Sequence, residues 1–132
     1  MEITGGCQCG AIRYEAEVDP ATSTVCHCHD CQKFSGSGWR ASVRTRAANL
    51  RVTGSPQVYV KTAESGTKRG QAFCPTCGSA LYAFTPPDPE VISLRLGGID
   101  QRADLPPQAQ IWCESAQRWA LDISGLPAHP KQ

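Results

Sequence analysis

The sequence has few of the residues that build a large apolar core. Leucine, isoleucine, valine and phenylalanine account for 23 of its 132 residues, and a share below about 20% is typical of disorder when the net charge is high. The formal net charge is only +1. This balance argues against disorder, and it also argues against a nucleic-acid partner, which needs a clustered basic excess. We therefore expect one globular domain over residues 1–132, with a thin core that something else reinforces.

Long hydrophobic runs are also absent. No segment approaches the ~18 consecutive apolar residues that a membrane-spanning helix requires. Residues 1–6 contain neither the basic stretch nor the apolar stretch of an export signal. We therefore expect a cytoplasmic protein without a membrane partner. Because the cytoplasm is reducing, cysteines there remain thiols, and clustered thiols usually bind metal.

No repeat of 20–50 residues is present, which excludes solenoids and propellers. Instead, 12 glycines and 10 prolines divide the chain into short segments. Two-residue alternation or β-rich composition predicts strands in several of these segments. The predicted strands are 11–18, 39–44, 57–61, 71–73, 80–84, 91–96, 109–112 and 118–123. Only residues 30–35 have helical character, so we predict an all-β sandwich, barrel or set of paired small sheets with one short helical turn.

The eight cysteines are the most informative feature of the sequence. They occur as Cys7-x-Cys9, Cys26-x-Cys28-x2-Cys31, Cys74-x2-Cys77 and a lone Cys113. A zinc ion takes four ligands in a tetrahedron, and a C-x2-C turn closed by glycine lets two sulfurs converge on one ion. Cysteines two apart next to a strand can also point to one side. We therefore expect a closed structural zinc site in the four-thiol group, which consists of Cys7, Cys9, Cys74 and Cys77. Buried apolar thiols and a disulfide framework are the alternatives.

The remaining cluster, Cys26, Cys28 and Cys31, is called the three-thiol group below. Three protein ligands and an open fourth position are typical of a catalytic zinc rather than a structural one. His27 or His29 could close the site, although His27 alternates away from the cysteines. We expect both histidines to be polar surface residues beside the site. The sequence thus predicts two zinc ions per chain.

These residues resemble the glutathione-dependent formaldehyde-activating enzyme family, from about Thr4 to about Leu126. The resemblance rests on four motifs, in chain order: Gly6-Cys7-x-Cys9-Gly10-x-Ile12-x-Tyr14, Cys26-His27-Cys28-x2-Cys31-Gln32-Lys33, Phe73-Cys74-x2-Cys77-Gly78-Ser79, and Pro107-x3-Ile111-Trp112 with Trp119. It implies a β-tent of small antiparallel sheets leaning together. It also implies a structural zinc on the four-thiol group and a catalytic zinc on the three-thiol group.

The activity implied by the resemblance is that of a carbon–sulfur lyase, which reversibly adds a thiol such as glutathione to an aldehyde such as formaldehyde. Arginines could bind the carboxylates of glutathione, and the sequence does not choose among Arg40, Arg44, Arg69 and Arg95. One alternative is a zinc-stabilised β-tent that serves only as a binding module. Another is an enzyme similar to methionine sulfoxide reductases that uses Cys113 as its nucleophile, although those enzymes bind zinc with two C-x2-C pairs.

Overall fold

Strands dominate the computed structural model of the chain, which describes residues 1–63 and 65–132. The described residues form nine strands: β1 (Glu2–Gly6), β2 (Arg13–Val18), β3 (Thr24–Cys26), β4 (Arg40–Thr53), β5 (Gln57–Thr62), β6 (Lys68–Phe73), β7 (Ala80–Phe84), β8 (Val91–Arg95) and β9 (Ala109–Ile111). The same part of the chain contains two α-helices, α1 (His29–Ser35) and α2 (Arg118–Leu121). The predicted all-β class is therefore confirmed, and α1 is the predicted helical turn.

One long strand, β4, joins the sheet together. The strand order is β1-β2-β4-β8-β7-β6-β5, with every neighbouring pair antiparallel. One edge of β4 pairs with β3 at residues 40–42 and with β2 at residues 45–53. Its other edge pairs with β8 at residues 42–46. β4 has 14 residues and pairs with three strands. The strands that were expected to form separate small sheets therefore belong to one continuous open sheet.

The C-terminal segment differs from the prediction. Residues 118–123, which include Trp119, Leu121 and Ile123, were expected to form a strand from two-residue alternation or β-rich composition. The segment instead contains the one-turn helix α2, and these three side chains are all exposed. Alternation predicts a strand only where one face can be buried against a core and a neighbouring strand supplies hydrogen bonds. The prediction of a strand here was wrong.

The apolar core anchors the first group of cysteines. Buried side chains from five strands pack together, among them Ile3, Tyr14, Val43 and Leu94. Cys7 and Cys74 belong to the same buried cluster. The part of the chain that is described contains no helix long and apolar enough to cross a membrane.

Candidate metal centres

The four thiols of the first group converge, although about 65 residues separate their two halves in the sequence. Their sulfur atoms all lie within 4.8 Å of one another. The Sγ atoms of Cys7 and Cys9 are 3.6 Å apart, and those of Cys9 and Cys74 are 3.8 Å apart. Sulfurs at the corners of a tetrahedron around zinc, with Zn–S near 2.3 Å, are about 3.8 Å from one another. The donor set therefore fits a tetrahedral metal ion.

Two tight turns bring these sulfurs to one side. The backbone N–H of Gly10 donates to the carbonyl of Cys7 (3.2 Å), and that of Gly78 donates to the carbonyl of Cys74 (2.9 Å). Both glycines have positive φ, 81° and 75°, a conformation that residues with a side chain rarely adopt. Each turn thus folds back on itself and directs its two cysteines toward the other turn. The backbone N–H of Ile12 also donates to the Cys7 sulfur (3.2 Å).

Ser79 links the two turns and favours the charged form of one thiol. Its hydroxyl lies 3.2 Å from the Cys77 sulfur and accepts a hydrogen bond from the backbone N–H of Gln8 (3.0 Å). Hydrogen bonds from the Ser79 side chain and backbone, followed by one from the Cys9 backbone, lower the pKa of Cys77 to about 5. These hydrogen bonds favour the thiolate of Cys77, the form in which cysteine binds metal.

The three thiols of the second group lie where β3 turns into α1. Cys26 ends β3, Cys28 is the N-cap of α1, and Cys31 is buried within the first turn of that helix. The three sulfurs lie within 4.8 Å of one another. The backbone N–H of Cys31 donates to the Cys28 sulfur at 3.4 Å, as an N-cap arrangement requires. Cys26 and Cys28 lie on the extended backbone that leads into the helix, and Cys31 follows Cys28 by three residues in its first turn. All three donors therefore lie around one point.

The charge states of this group favour a bound cation. Burial raises the pKa of Cys26 to about 12. Burial also opposes ionisation of Cys28, but the Cys31 backbone N–H and the neighbouring thiols lower the pKa of Cys28 below its usual value. Three thiols this close together, one buried and two half-buried, do not all ionise without a cation, whereas a metal ion displaces their protons. The site therefore suits a metal ion better than three free thiols.

The structure places neither histidine in a thiol group within residues 1–63 and 65–132. His29 is exposed, as expected, but the expectation of a surface position was wrong for His27, which is only 1% exposed. His27 is buried because it continues β3 against β9: its backbone N–H donates to the carbonyl of Ile111 (3.0 Å), and its Nε2 lies 2.8 Å from Oε1 of Gln110.

The candidate arginines divide into two kinds. Arg40 and Arg95 are buried, whereas Arg44 and Arg69 are exposed. Both buried guanidinium groups contact Gln71, a residue that the sequence analysis did not single out. The two-residue alternation of its strand could have indicated Gln71, because a glutamine on the buried face of a sheet needs polar neighbours as hydrogen-bond partners. Cys113 is exposed and lies outside both thiol groups, in a 3-10 helix over Cys113–Ser115.

Comparison with known proteins agrees with this arrangement. Residues 2–115 match the sequence profile of a family described as glutathione-dependent formaldehyde-activating enzyme. A Halomonas elongata protein, named provisionally as a glutathione-dependent formaldehyde-activating enzyme, is 31% identical over 125 residues, which cover 90% of this chain and 80% of that protein. The crystal structure of a Rhodobacter sphaeroides protein has a similar fold, with a TM-score of 0.63 and 23% identity over 81% of this chain and 98% of the other. The family match spans both thiol groups. The chain belongs to the glutathione-dependent formaldehyde-activating enzyme family.

Proposed function

We propose that the protein is a cytoplasmic, zinc-dependent carbon–sulfur lyase that reversibly adds a thiol such as glutathione to an aldehyde such as formaldehyde. The observation that carries the proposal is the convergence of only three donors, Cys26, Cys28 and Cys31, on one point. Three protein ligands leave the fourth position of a tetrahedral ion to a substrate, whereas the four-thiol group offers a complete ligand set. The family match and the name of the Halomonas relative support the same reaction.

The two zinc ions would have different tasks. At the four-thiol group, zinc would join the turn after β1 to the turn after β6, so its contribution would be to stability. At the three-thiol group, a bound zinc ion lowers the pKa of a coordinated thiol and so supplies a thiolate at neutral pH. The reaction then forms a bond between the substrate sulfur and the carbonyl carbon, while the carbonyl oxygen takes up the proton that the thiol has lost.

The protein's own part in this reaction is to position the donors. The N-cap hydrogen bond holds Cys28 against the first turn of α1. The side-chain amide of Gln32 donates to the carbonyl oxygens of His27 (2.7 Å) and Ser115 (3.0 Å), which ties α1 to the segment after β9. Because the donors lie on β3 and on an anchored helix, a substrate bound there would be held in one orientation, which is the main contribution of proximity to rate.

The first prediction concerns metal content. Protein purified under reducing conditions should contain about two zinc ions per chain, because each thiol group approaches a complete ligand set. Elemental analysis with a protein assay measures this ratio. The Cys113→Ala variant is a matched control and should contain the same amount, since Cys113 lies in neither group. One zinc ion or none in the wild-type protein would contradict the assignment.

The second prediction concerns the open coordination position. With cobalt in place of zinc, millimolar glutathione should change the thiolate-to-cobalt absorption, because its sulfur adds a ligand to one of the two ions. S-Methylglutathione, which has no free thiol, should leave the spectrum unchanged. The same preparation with zinc should convert glutathione and formaldehyde to the adduct. An unchanged cobalt spectrum and no turnover would favour a binding module without catalysis.

A further inference from the structure

Two buried arginines share a single neutral partner. The side chains belong to Arg40 in β4 and Arg95 in β8, which are 8% and 7% exposed. Nη1 of Arg40 donates to Oε1 of Gln71 at 3.3 Å, and Nη2 of Arg95 donates to the same oxygen at 3.0 Å. The Nε atom of Arg40 is buried without a hydrogen-bond partner among the described residues.

This pair lacks the counter-ion that buried cations normally have. In residues 1–63 and 65–132 the ion pairs are Arg13–Asp100 and Lys61–Asp30, so neither buried guanidinium contacts a carboxylate. Burial of an unpaired charge is strongly unfavourable, and two like charges next to each other add repulsion. Burial and then the charge of Arg40 lower the pKa of Arg95 to about 9, although the nearby Cys31 and Cys26 thiols of the three-thiol group act in the opposite direction. An anion bound between them would relieve both effects.

The arginines lie on the same face of the sheet as the three-thiol group. Arg40 is directly opposite Cys26 in the antiparallel pairing of β3 and β4, and side chains of directly opposed residues project to one face. Arg95 is opposite Ser42, which is two residues beyond Arg40 in β4 and therefore on that face as well. The arginine pair and the three thiols are thus neighbours along the sheet.

A cavity gives access to both guanidinium groups. It has a volume of about 720 Å³, and its lining includes Arg40, Arg95 and Phe34. The same lining includes Cys7 and Ser79 at the four-thiol group and the carboxylate of Asp100, but not Cys26, Cys28 or Cys31, so the cavity reaches the arginine pair from the side of the four-thiol group. The Cζ atom of Arg40 lies 5.5 Å from the centre of the Phe34 ring, so the end of α1 holds this side chain in place. Cavities that hold small molecules have volumes of about 300–1,000 Å³, so there is room for a peptide-sized thiol.

We propose that Arg40 and Arg95 bind a carboxylate of the thiol substrate, and so select acidic thiols over neutral ones. This inference rests on the proposed function, because it takes the three-thiol group as the place where the substrate sulfur is bound. Each guanidinium can offer two parallel N–H donors to a carboxylate. Gln71 holds the two groups side by side, which makes it a positioning residue for this site.

The test measures binding of S-methylglutathione to the zinc-loaded protein by calorimetry. This probe retains the carboxylates of glutathione but has no thiol, so its binding does not depend on turnover. Arg95→Gln should weaken binding by about 10–100-fold, the range expected for a lost hydrogen bond between charged groups. Arg95→Lys, which keeps the positive charge but loses the two parallel N–H donors of the guanidinium, should weaken binding less. The diester of S-methylglutathione, in which both carboxylates are blocked, should not bind measurably to the wild type or to either variant.

A matched control is Arg44→Gln, which removes an exposed arginine from the same strand; its affinity and its zinc content should equal those of the wild type. Equal affinity of wild type and Arg95→Gln, or of the acid and its ester, would overturn the inference. Loss of zinc from both Arg95→Gln and Arg95→Lys would also overturn the inference, because the arginine would then stabilise the thiolates of the metal site rather than bind a substrate. Normal binding of the probe without any turnover would contradict the proposed lyase and leave the carboxylate site standing.

Discussion

Replacing Cys77 with alanine is expected to give unfolded or insoluble protein. Cys77 is exposed, so the truncation itself removes little buried area and would change the free energy of unfolding only slightly. It does, however, remove one of four donors that join two turns far apart in the chain. A structural zinc ion contributes about 10–16 kcal/mol of apparent binding free energy, whereas typical domains have a net stability of about 5–15 kcal/mol. Far-ultraviolet circular dichroism and a melting curve measure the outcome.

The matched control for this variant is Cys113→Ala, which also removes an exposed thiol but one outside both groups. It should melt like the wild type. If Cys77→Ala also melts like the wild type and keeps its zinc, the four-thiol group is not a structural zinc site. The thin apolar core would then be sufficient for stability by itself.

Replacing Cys28 should abolish turnover and leave most of the fold intact. Cys28 supplies a donor to the three-thiol group, whose members lie within six residues of chain and so join no distant segments. Zinc content should fall toward one ion per chain, because two thiolates are a poor site for zinc. Cys28 is also the N-cap of α1, and loss of an N-cap hydrogen bond costs about 1 kcal/mol. Turnover, zinc content and a melting curve of Cys28→Ala test these expectations together.

Cys28→Ser separates the two roles of this residue. Serine is a preferred N-cap but not a zinc thiolate ligand, so this variant should melt closer to the wild type than Cys28→Ala and should be equally inactive. If either Cys28 variant unfolds as completely as Cys77→Ala, the second metal is structural and the lyase proposal loses its main support. If both remain active, the three-thiol group is not the site of the reaction.

The sets of neighbouring cysteines could be predicted because the members of each pair or triplet are close in sequence, whereas the meeting of Cys7 and Cys9 with Cys74 and Cys77 joins segments about 65 residues apart. In Cys74-x2-Cys77-Gly78, the spacing and the glycine together specify a turn that directs two sulfurs to one side. The same holds for Cys7-x-Cys9-Gly10. The strand segments 80–84 and 57–61 were predictable for a similar reason, since alternation reflects a local period of two. Strand β1 was not predicted, because the adjacent Gly5 and Gly6 disfavour a strand and leave only Ile3 and Thr4 as β-branched residues.

By itself, the sequence determined the all-β class, the short helix and the local sets of cysteines that share a turn or a strand end, because local spacing and backbone preference decide these features. The tertiary structure alone decided which polar residues are buried. His27 is enclosed by its pairing with β9, while Arg40 and Arg95 meet at Gln71 because β4, β8 and β6 converge in one sheet. Residues 118–123 place Trp119, Leu121 and Ile123 at every second position, as a strand does, but they pair with no strand among the described residues. Burial depends on contacts between distant segments, and no local pattern specifies those contacts.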